Sequence, residues 1–417
     1  MESAECLAAA VRVAQEKLRA APLDDIIGLC DAAGQAWVQP GHAMSQLISR
    51  YAIGFLPLWL RRGNLEEVCD NALRGSRLAM DQFVPAGAGK KRLHRAQPRG
   101  LLVHWVAGNV PLLGMISVVQ GLLSKNANLV KVSRRGAGVL PNFLQALSEV
   151  SYTRPSGETI RGTLLTDAVR AVYADSSDLD AARALSVAAD VRIAWGGREA
   201  VEAIMNLPRR FGTEDIVFGP KLSFEVVGAE MLADEKTARQ TALQIAQDTV
   251  ALEQRGCNSP HTVFVERGGA LPPADFAGLI AAQLGELCKR VPLQVSAEEA
   301  FQVLGNRAEY DMRGQAWYSE GVSWTVLYAE EDRGLAAPCY VRTLFVRPVD
   351  DIFEVPPFCS VNTQSAGLAV GDRRLALADA LTAHGIERCP QPGRMSLYDQ
   401  PWDGMYPIDR MVRWVAA

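Results

Sequence analysis

Three turns of this chain carry side chains suited to chemistry on a carbonyl group. Cys257 lies in EQRGCNSPHTVFV, after a stretch with helical periodicity and before an apolar run typical of a strand. Gly256 allows a tight turn there and Pro260 sets a rigid exit. A thiolate in such a loop suits acyl transfer, because it is strongly nucleophilic and the thioester it forms is activated. A cysteine is more often a small buried apolar group. Asn109, in VAGNVP, follows a strand and precedes a helix. Its amide could donate to a developing oxyanion, helped by the positive end of the helix, or it could simply cap the turn. Lys131 and Ser133, in LVKVSRRG, end the next strand, with Arg134 and Arg135 beside them. This cationic cluster suits ribose hydroxyls or a phosphate, or is a solvated basic loop. Gly196-Gly197 follows a strand and opens a helix, so a phosphate could approach its backbone N–H groups. His104 falls inside a strand and reads as a satisfied core residue. His261, shortly after Cys257, is a candidate general base.

The elements that must position these residues follow from periodicity. Residues 1–83 read as mostly helical, and 85–100, PAGAGKKRLHRAQPRG, as a connector rich in Pro, Gly and basic residues. From 100 to 227 strands alternate with helices: LLVHWVA, ANLVKVS, AVRAVYA, VRIAW, DIVFG and LSFEVVG are the strands. Pro111 opens the first helix, where its missing N–H costs nothing. Ser177 or Asp178 is placed to cap a later one. This alternation predicts a parallel sheet covered on both faces. A helix is expected over 233–252, a turn and strand around Cys257, helix over 270–304, and β-type runs within 314–349.

Composition narrows the function classes. A chain of 417 residues needs more than one core, and 48% hydrophobic with 22% charged residues is ordinary for a folded protein. A net charge of −4 argues against nucleic acid or an anionic membrane surface as main partner. The eight cysteines are scattered, with no C-x-x-C pair and no zinc spacing, so no metal site is expected. They read as reduced thiols in a cytoplasmic protein. The apolar stretch 101–123 is interrupted by His104, Gly108, Asn109 and Pro111, which predicts a strand, turn and helix rather than a membrane span. No G-x-G-x-x-G follows a strand, so the usual dinucleotide fingerprint is missing.

Taken in order, the segments resemble the LuxC family of acyl-CoA reductases, a branch of the aldehyde dehydrogenase superfamily. The likeness runs from about residue 98 to the C-terminus. It is carried by RGLLVHWVAGNVPLLGMISVVQGLLSKNANLVKVS, RIAWGG, VFGPKLSFEVVG, EQRGCNSPHTVFVE and GRMSLYDQPWDGMYPIDRMVRWV. The first 80 residues carry no matching motif.

The resemblance implies an α/β, aldehyde dehydrogenase-like fold: a Rossmann-type cofactor domain plus an α/β catalytic domain, with the active site in the cleft between them. The expected division is 1–248 for the helical N-terminal region and cofactor domain, 249–360 for the catalytic domain, and 361–417 for a C-terminal return. Cys257 takes the catalytic cysteine's place and Asn109 that of the oxyanion-hole asparagine. Lys131 matches the lysine that contacts the adenosine ribose, and Trp195, Gly196 and Gly197 occupy the cofactor-binding loop. Two departures carry meaning. Where oxidative members have the glutamate that activates water, this chain has Val217. Where many NAD-specific members have an acidic residue after the lysine, it has Arg134. The expectation is NADPH-dependent reduction of an acyl-CoA or carrier-bound acyl thioester to the aldehyde by a homo-oligomer, with NADH open as the other cofactor. An oxidative or CoA-acylating aldehyde dehydrogenase is the alternative of the same class. A non-catalytic docking partner of an acyl-transferring enzyme is the alternative of another class, and the intact Asn109, Cys257 and Lys131 set speaks against it.

Overall fold

All strands of the alternating region except LSFEVVG lie side by side and parallel in the computed structural model, which describes residues 4–50, 53–87, 91–106, 111–132, 138–291 and 293–417. The chain divides into two compact units, Met1–Gly219 with Tyr398–Ala417, and Pro220–Leu397. The first unit begins with helices Ala4–Ala20, Leu23–Trp37, Ala43–Arg50, Phe55–Trp59 and Arg62–Ala72. Its strands are β1 (Val84–Pro85), β2 (Leu93–Pro98), β3 (Leu101–Trp105), β4 (Ala127–Val132), the hairpin β5 (Ser151–Thr153) and β6 (Thr159–Arg161), then β7 (Val169–Tyr173), β8 (Val191–Trp195) and β9 (Glu214–Phe218).

The central sheet has the order β7-β4-β3-β8-β9, all parallel. The chain runs outward from β3 in one direction and then returns to build the other side, so the switch in strand order falls between β3 and β8. Ligands of open α/β sheets bind beyond the strand carboxyl ends at such a point. Every residue of β3 and of β8 is buried, as expected for a parallel strand covered on both faces. On one face the covering comes from helices Ala4–Ala20 and Leu179–Ala188, whose Ala8, Val11 and Leu185 pack against Leu101, Val103 and Leu129. Asp178 caps the second of these helices by accepting the Ala181 N–H at 3.0 Å.

The second unit holds β10 (Leu222–Val227), β11 (Pro260–Glu266), β12 (Gln315–Tyr318), β13 (Thr325–Tyr328), β14 (Thr343–Val349) and β15 (Thr363–Ala369). They form one sheet ordered β12-β13-β14-β11-β10-β15, parallel except for the edge strand β12. Helices Glu235–Val250 and Pro273–Cys288 seal one face with Ala242, Ile245, Phe276 and Ile280 against Val263, Val265, Leu344 and Val346.

This shared core moves the expected domain boundary. The division falls at 219/220 rather than 248/249, because β10 pairs with β11 and β15 and the helix Glu235–Val250 packs on the Cys257-bearing sheet. The C-terminal return begins at Tyr398 rather than 361, because β15 is itself a strand of that sheet. The helical region 270–304 is two helices, Pro273–Cys288 and Ala297–Arg313, the second opened by a capping box of Ser296 and Glu299. The basic connector contains β2, which pairs antiparallel with β16 (Val412–Ala416) near the C-terminus. Among the described residues no helix is long and apolar enough to cross a membrane, and no group of three or more His, Cys, Asp or Glu could hold a metal ion.

Candidate active site

Burial raises the thiols of six of the eight cysteines. Burial pushes the Cys30 and Cys359 thiols up to about 12 and Cys389 to about 11, and it raises Cys69, Cys288 and Cys339 as well. Thiols held protonated in this way are poor nucleophiles. Cys6 is exposed on the N-terminal helix, whereas Cys257 is half-buried in the loop between helix Glu235–Val250 and β11.

That loop is built on backbone strain. Leu252, Glu253 and Gln254 have φ values of 51°, 55° and 57°, a left-handed run that costs roughly 1–2 kcal/mol per non-glycine residue. The opposing segment does the same: Tyr340, Val341 and Arg342, at 56°, 55° and 52°, lead into β14. Gln254 ties the two together. Its buried Nε2 donates to the carbonyls of Pro260 at 2.8 Å and Thr343 at 2.9 Å, and its Oε1 accepts the Thr343 N–H at 2.8 Å. The tight turn expected of Gly256 is made by these residues instead. Gly256 does not lie in the left-handed region. It is needed for close approach, since a Cβ there would sit 2.5 Å from Asn258 Oδ1.

Neighbouring strands fix the loop further. Ser223 Oγ on β10 donates to the Cys257 carbonyl at 2.7 Å, and Asn258 Nδ2 donates to the Met395 carbonyl at 2.7 Å. His261 is buried, its Nδ1 has no hydrogen-bond partner, and its ring meets Tyr340 edge-on at 5.3 Å between centroids. Burial lowers its pKa to about 4, so it is neutral at pH 7 and only a weak base.

In the first unit, Lys131 is half-buried near the carboxyl end of β4, between Trp105 of β3 and Val172 of β7. At the end of β8, Trp195 is buried. It stacks on Phe218 with centroids 3.7 Å apart and donates Nε1–H to Ser117 Oγ at 3.4 Å. The Gly196 N–H donates to the Phe218 carbonyl at 3.2 Å. Gly197 is exposed, with no heavy atom within 4 Å of a would-be Cβ, and no side chain caps the helix Arg198–Met205 that it opens. That helix start leaves backbone donors for an anion. Val217 lies half-buried in β9 opposite Ala194, so no carboxylate stands there. His104 is a satisfied core residue. Its ring nitrogens lie 2.9 Å from Ser117 Oγ and 3.0 Å from Asn128 Oδ1, and burial lowers its pKa to about 4.

The structure thus places Cys257 in the second unit and Lys131, Trp195, Gly196 and Gly197 at strand ends of the first. Asn109, Ser133, Arg134 and Arg135 lie outside the described residues. Sequence reasoning missed the Gln254 clamp. It also missed a buried pair of carboxyls, Glu225 and Asp248. The signal for that pair was a lone acidic residue in the otherwise apolar run LSFEVV.

A family model described as acyl-CoA reductase (LuxC) matches residues 18–414. A long-chain acyl-protein thioester reductase 2 of Photobacterium leiognathi is 26% identical over 416 residues, covering 94% of this chain and 82% of that protein. Among solved structures, a variant of proline utilization A from Bradyrhizobium japonicum superposes with a TM-score of 0.66 at 14% identity. The alignment covers 100% of this chain, which spans 45% of that longer one. An NADP-dependent glyceraldehyde-3-phosphate dehydrogenase of Bacillus halodurans, complexed with NADP, gives 0.64 at 14% identity, covering 99% of this chain and 90% of that one. The fold is that of the aldehyde dehydrogenases. With the match extending over nearly its whole length, the chain belongs to the acyl-CoA reductase (LuxC) family of enzymes.

Proposed function

We propose that this enzyme reduces an acyl thioester to the aldehyde, with NADPH as reductant, through an S-acyl intermediate on Cys257. The observation that carries the reading is the Cys257 loop: a half-buried thiol on a strained, side-chain-clamped turn. The thiolate attacks the thioester carbonyl. A new C–S bond forms, the original one breaks, and the CoA or carrier thiolate leaves and takes up a proton. The Asn109 amide and the Cys257 N–H are the proposed oxyanion donors, and the loss of one such donor typically costs about 10²–10³ in rate. A bound nicotinamide would supply the hydride for the acyl carbon. The carbon–sulfur bond to Cys257 then breaks, releasing aldehyde and restoring the thiolate.

The residues of the first unit fit such a cofactor. Exposed Gly197 and the uncapped helix start after it suit the pyrophosphate, and Lys131 at the carboxyl end of β4 suits the ribose. Arg134 and Arg135 favour a 2′-phosphate by charge, which supports NADPH over NADH. Val217, in place of a water-activating carboxylate, disfavours hydrolysis and leaves a thiol as the acyl exchange partner. The name of the Photobacterium relative supports an acyl thioester as substrate. The homo-oligomer expected from the resemblance belongs to the same reading, and light scattering tests it.

The test is a panel of acyl-CoA thioesters with NADPH, together with mass spectrometry of enzyme mixed with acyl-CoA alone. Aldehyde formation and one acyl adduct, located on Cys257, are expected. An adduct elsewhere, or none with turnover intact, overturns the covalent route.

A further inference from the structure

The second unit contains a buried carboxyl pair that the proposed chemistry does not use. Glu225 on β10 is 0% exposed and neither of its oxygens meets a donor group. Its neighbour is Asp248, 2% exposed, in the last turn of helix Glu235–Val250. Two carboxylates side by side in a dry interior repel each other, so one of them keeps its proton. Protonated, Glu225 gains the O–H that it can donate to Asp248. Burial and then the Asp248 charge raise Glu225 well above the carboxylate range. Burial likewise pushes Asp248 up to about 6, while backbone N–H bonds from Gly393, Met395 and Ser396 hold it down.

Those bonds lead to Cys257. Asp248 accepts the N–H of Gly393 and, at 3.1 Å, that of Met395. The Met395 carbonyl then accepts Asn258 Nδ2–H at 2.7 Å, one residue beyond the thiol. The segment is pinned at its far end by Arg388, which donates to the Leu397 carbonyl at 3.0 Å. Glu225 and Met395 both pack closely on Gly367 of β15: a Cβ there would sit 2.8 Å from Glu225 Cγ and 2.9 Å from Met395 Sδ. Glu225, Asp248, residues 393–397 and Asn258 therefore form one connected support.

We propose that Asp248, backed by Glu225, is a positioning residue for Cys257, acting through the 393–397 segment and Asn258. The proposal rests on the reading of Cys257 as nucleophile. The groups acting on the pair are each other and the backbone N–H groups of the segment. Asp248 accepts these bonds best as a carboxylate and Glu225 donates only while protonated, so the support is complete above about 6 and is lost as pH rises through the raised Glu225 value. A displacement of about 1 Å at a nucleophile can cost on the order of 100-fold in rate.

Hydrogen–deuterium exchange and steady-state turnover on the full chain test this. Asp248→Ala is expected to raise amide exchange in both 393–397 and 255–259 and to lower kcat on the order of 10- to 100-fold, with KM for NADPH unchanged. Asn258→Ala should loosen 255–259 and lower kcat, while 393–397 stays protected by Asp248. This variant decides the matter should Asp248→Ala not fold. Glu225→Gln, whose amide donates to Asp248 at every pH, should keep turnover at high pH where the wild type loses it, and Glu225→Ala should lose turnover at neutral pH as well. Unchanged exchange at 255–259 in Asp248→Ala, or unchanged kcat in either Asp248→Ala or Asn258→Ala, overturns the proposal. Exchange is read without turnover, so its failure is separable from that of the nucleophile reading, which falls if Cys257→Ala keeps its rate.

Discussion

Two turns, one in each unit, show opposite ways of building a site. After β8 the chain turns through Gly196-Gly197, where Gly197 is extended at φ −66° and ψ 166° and a Cβ would meet no heavy atom within 4 Å. Small residues there leave the backbone open to whatever approaches. Before β11 the chain turns through three non-glycine residues in the left-handed region, and a buried glutamine holds them. Openness suits a surface that must receive a ligand through its N–H groups. A side chain that must be aimed requires a rigid support, even a strained one.

The largest expected effect tests the purpose of the second turn. Cys257→Ala should lower thioester reduction by about 10³-fold or more, with cofactor binding by fluorescence titration unchanged. Next comes the clamp. Gln254→Ala strands two carbonyls and one N–H in a buried site and is expected to destabilise the protein by about 3 kcal/mol in urea unfolding. A loss below about 1 kcal/mol would mean that the left-handed run is supported some other way.

Acid should affect both units similarly. His104 and His261, one in each, have folded pKa values depressed to about 4 from 6.5. Their stabilisation is present above 6.5 and is lost as pH falls from 6.5 toward 4, by up to about 3 kcal/mol for each histidine. Replacing His104 by Asn and His261 by Phe, one at a time, should each remove part of that pH dependence. The smallest effect concerns the open turn. Gly197→Ala fits sterically, so stability should change by less than about 0.5 kcal/mol. KM for NADPH should nevertheless rise about tenfold if a phosphate contacts that backbone.

The sequence displays the elements of the first sheet clearly, because parallel strands buried on both faces read as unbroken apolar runs and the helices between them keep their period. The domain boundary was less legible. Strand β10 and the helix after it look like a continuation of the same alternation, and only their pairing with β11 and β15 assigns them to the other unit. The pairing of β2 with β16 joins segments some three hundred residues apart, and no local pattern encodes it. At the site, Cys257 was singled out by the glycine and proline around it. Gln254 was not, since a glutamine three residues earlier looks like any surface residue until its partners at Pro260 and Thr343 are known.

The closing of the first unit by Tyr398–Ala417 bears on how the chain is made. Strand β16, with Trp414 edge-on to His94 at 4.8 Å, supplies the pairing partner of β2. On the ribosome, residues 220–397 emerge as one uninterrupted stretch and can fold as they appear. The unit synthesised first must wait for Tyr398–Ala417 before its three-stranded sheet can form. A nascent chain stalled just short of β16 would therefore hold a finished second unit and an unfinished first one, with the edge of β2 open to chaperones or to aggregation.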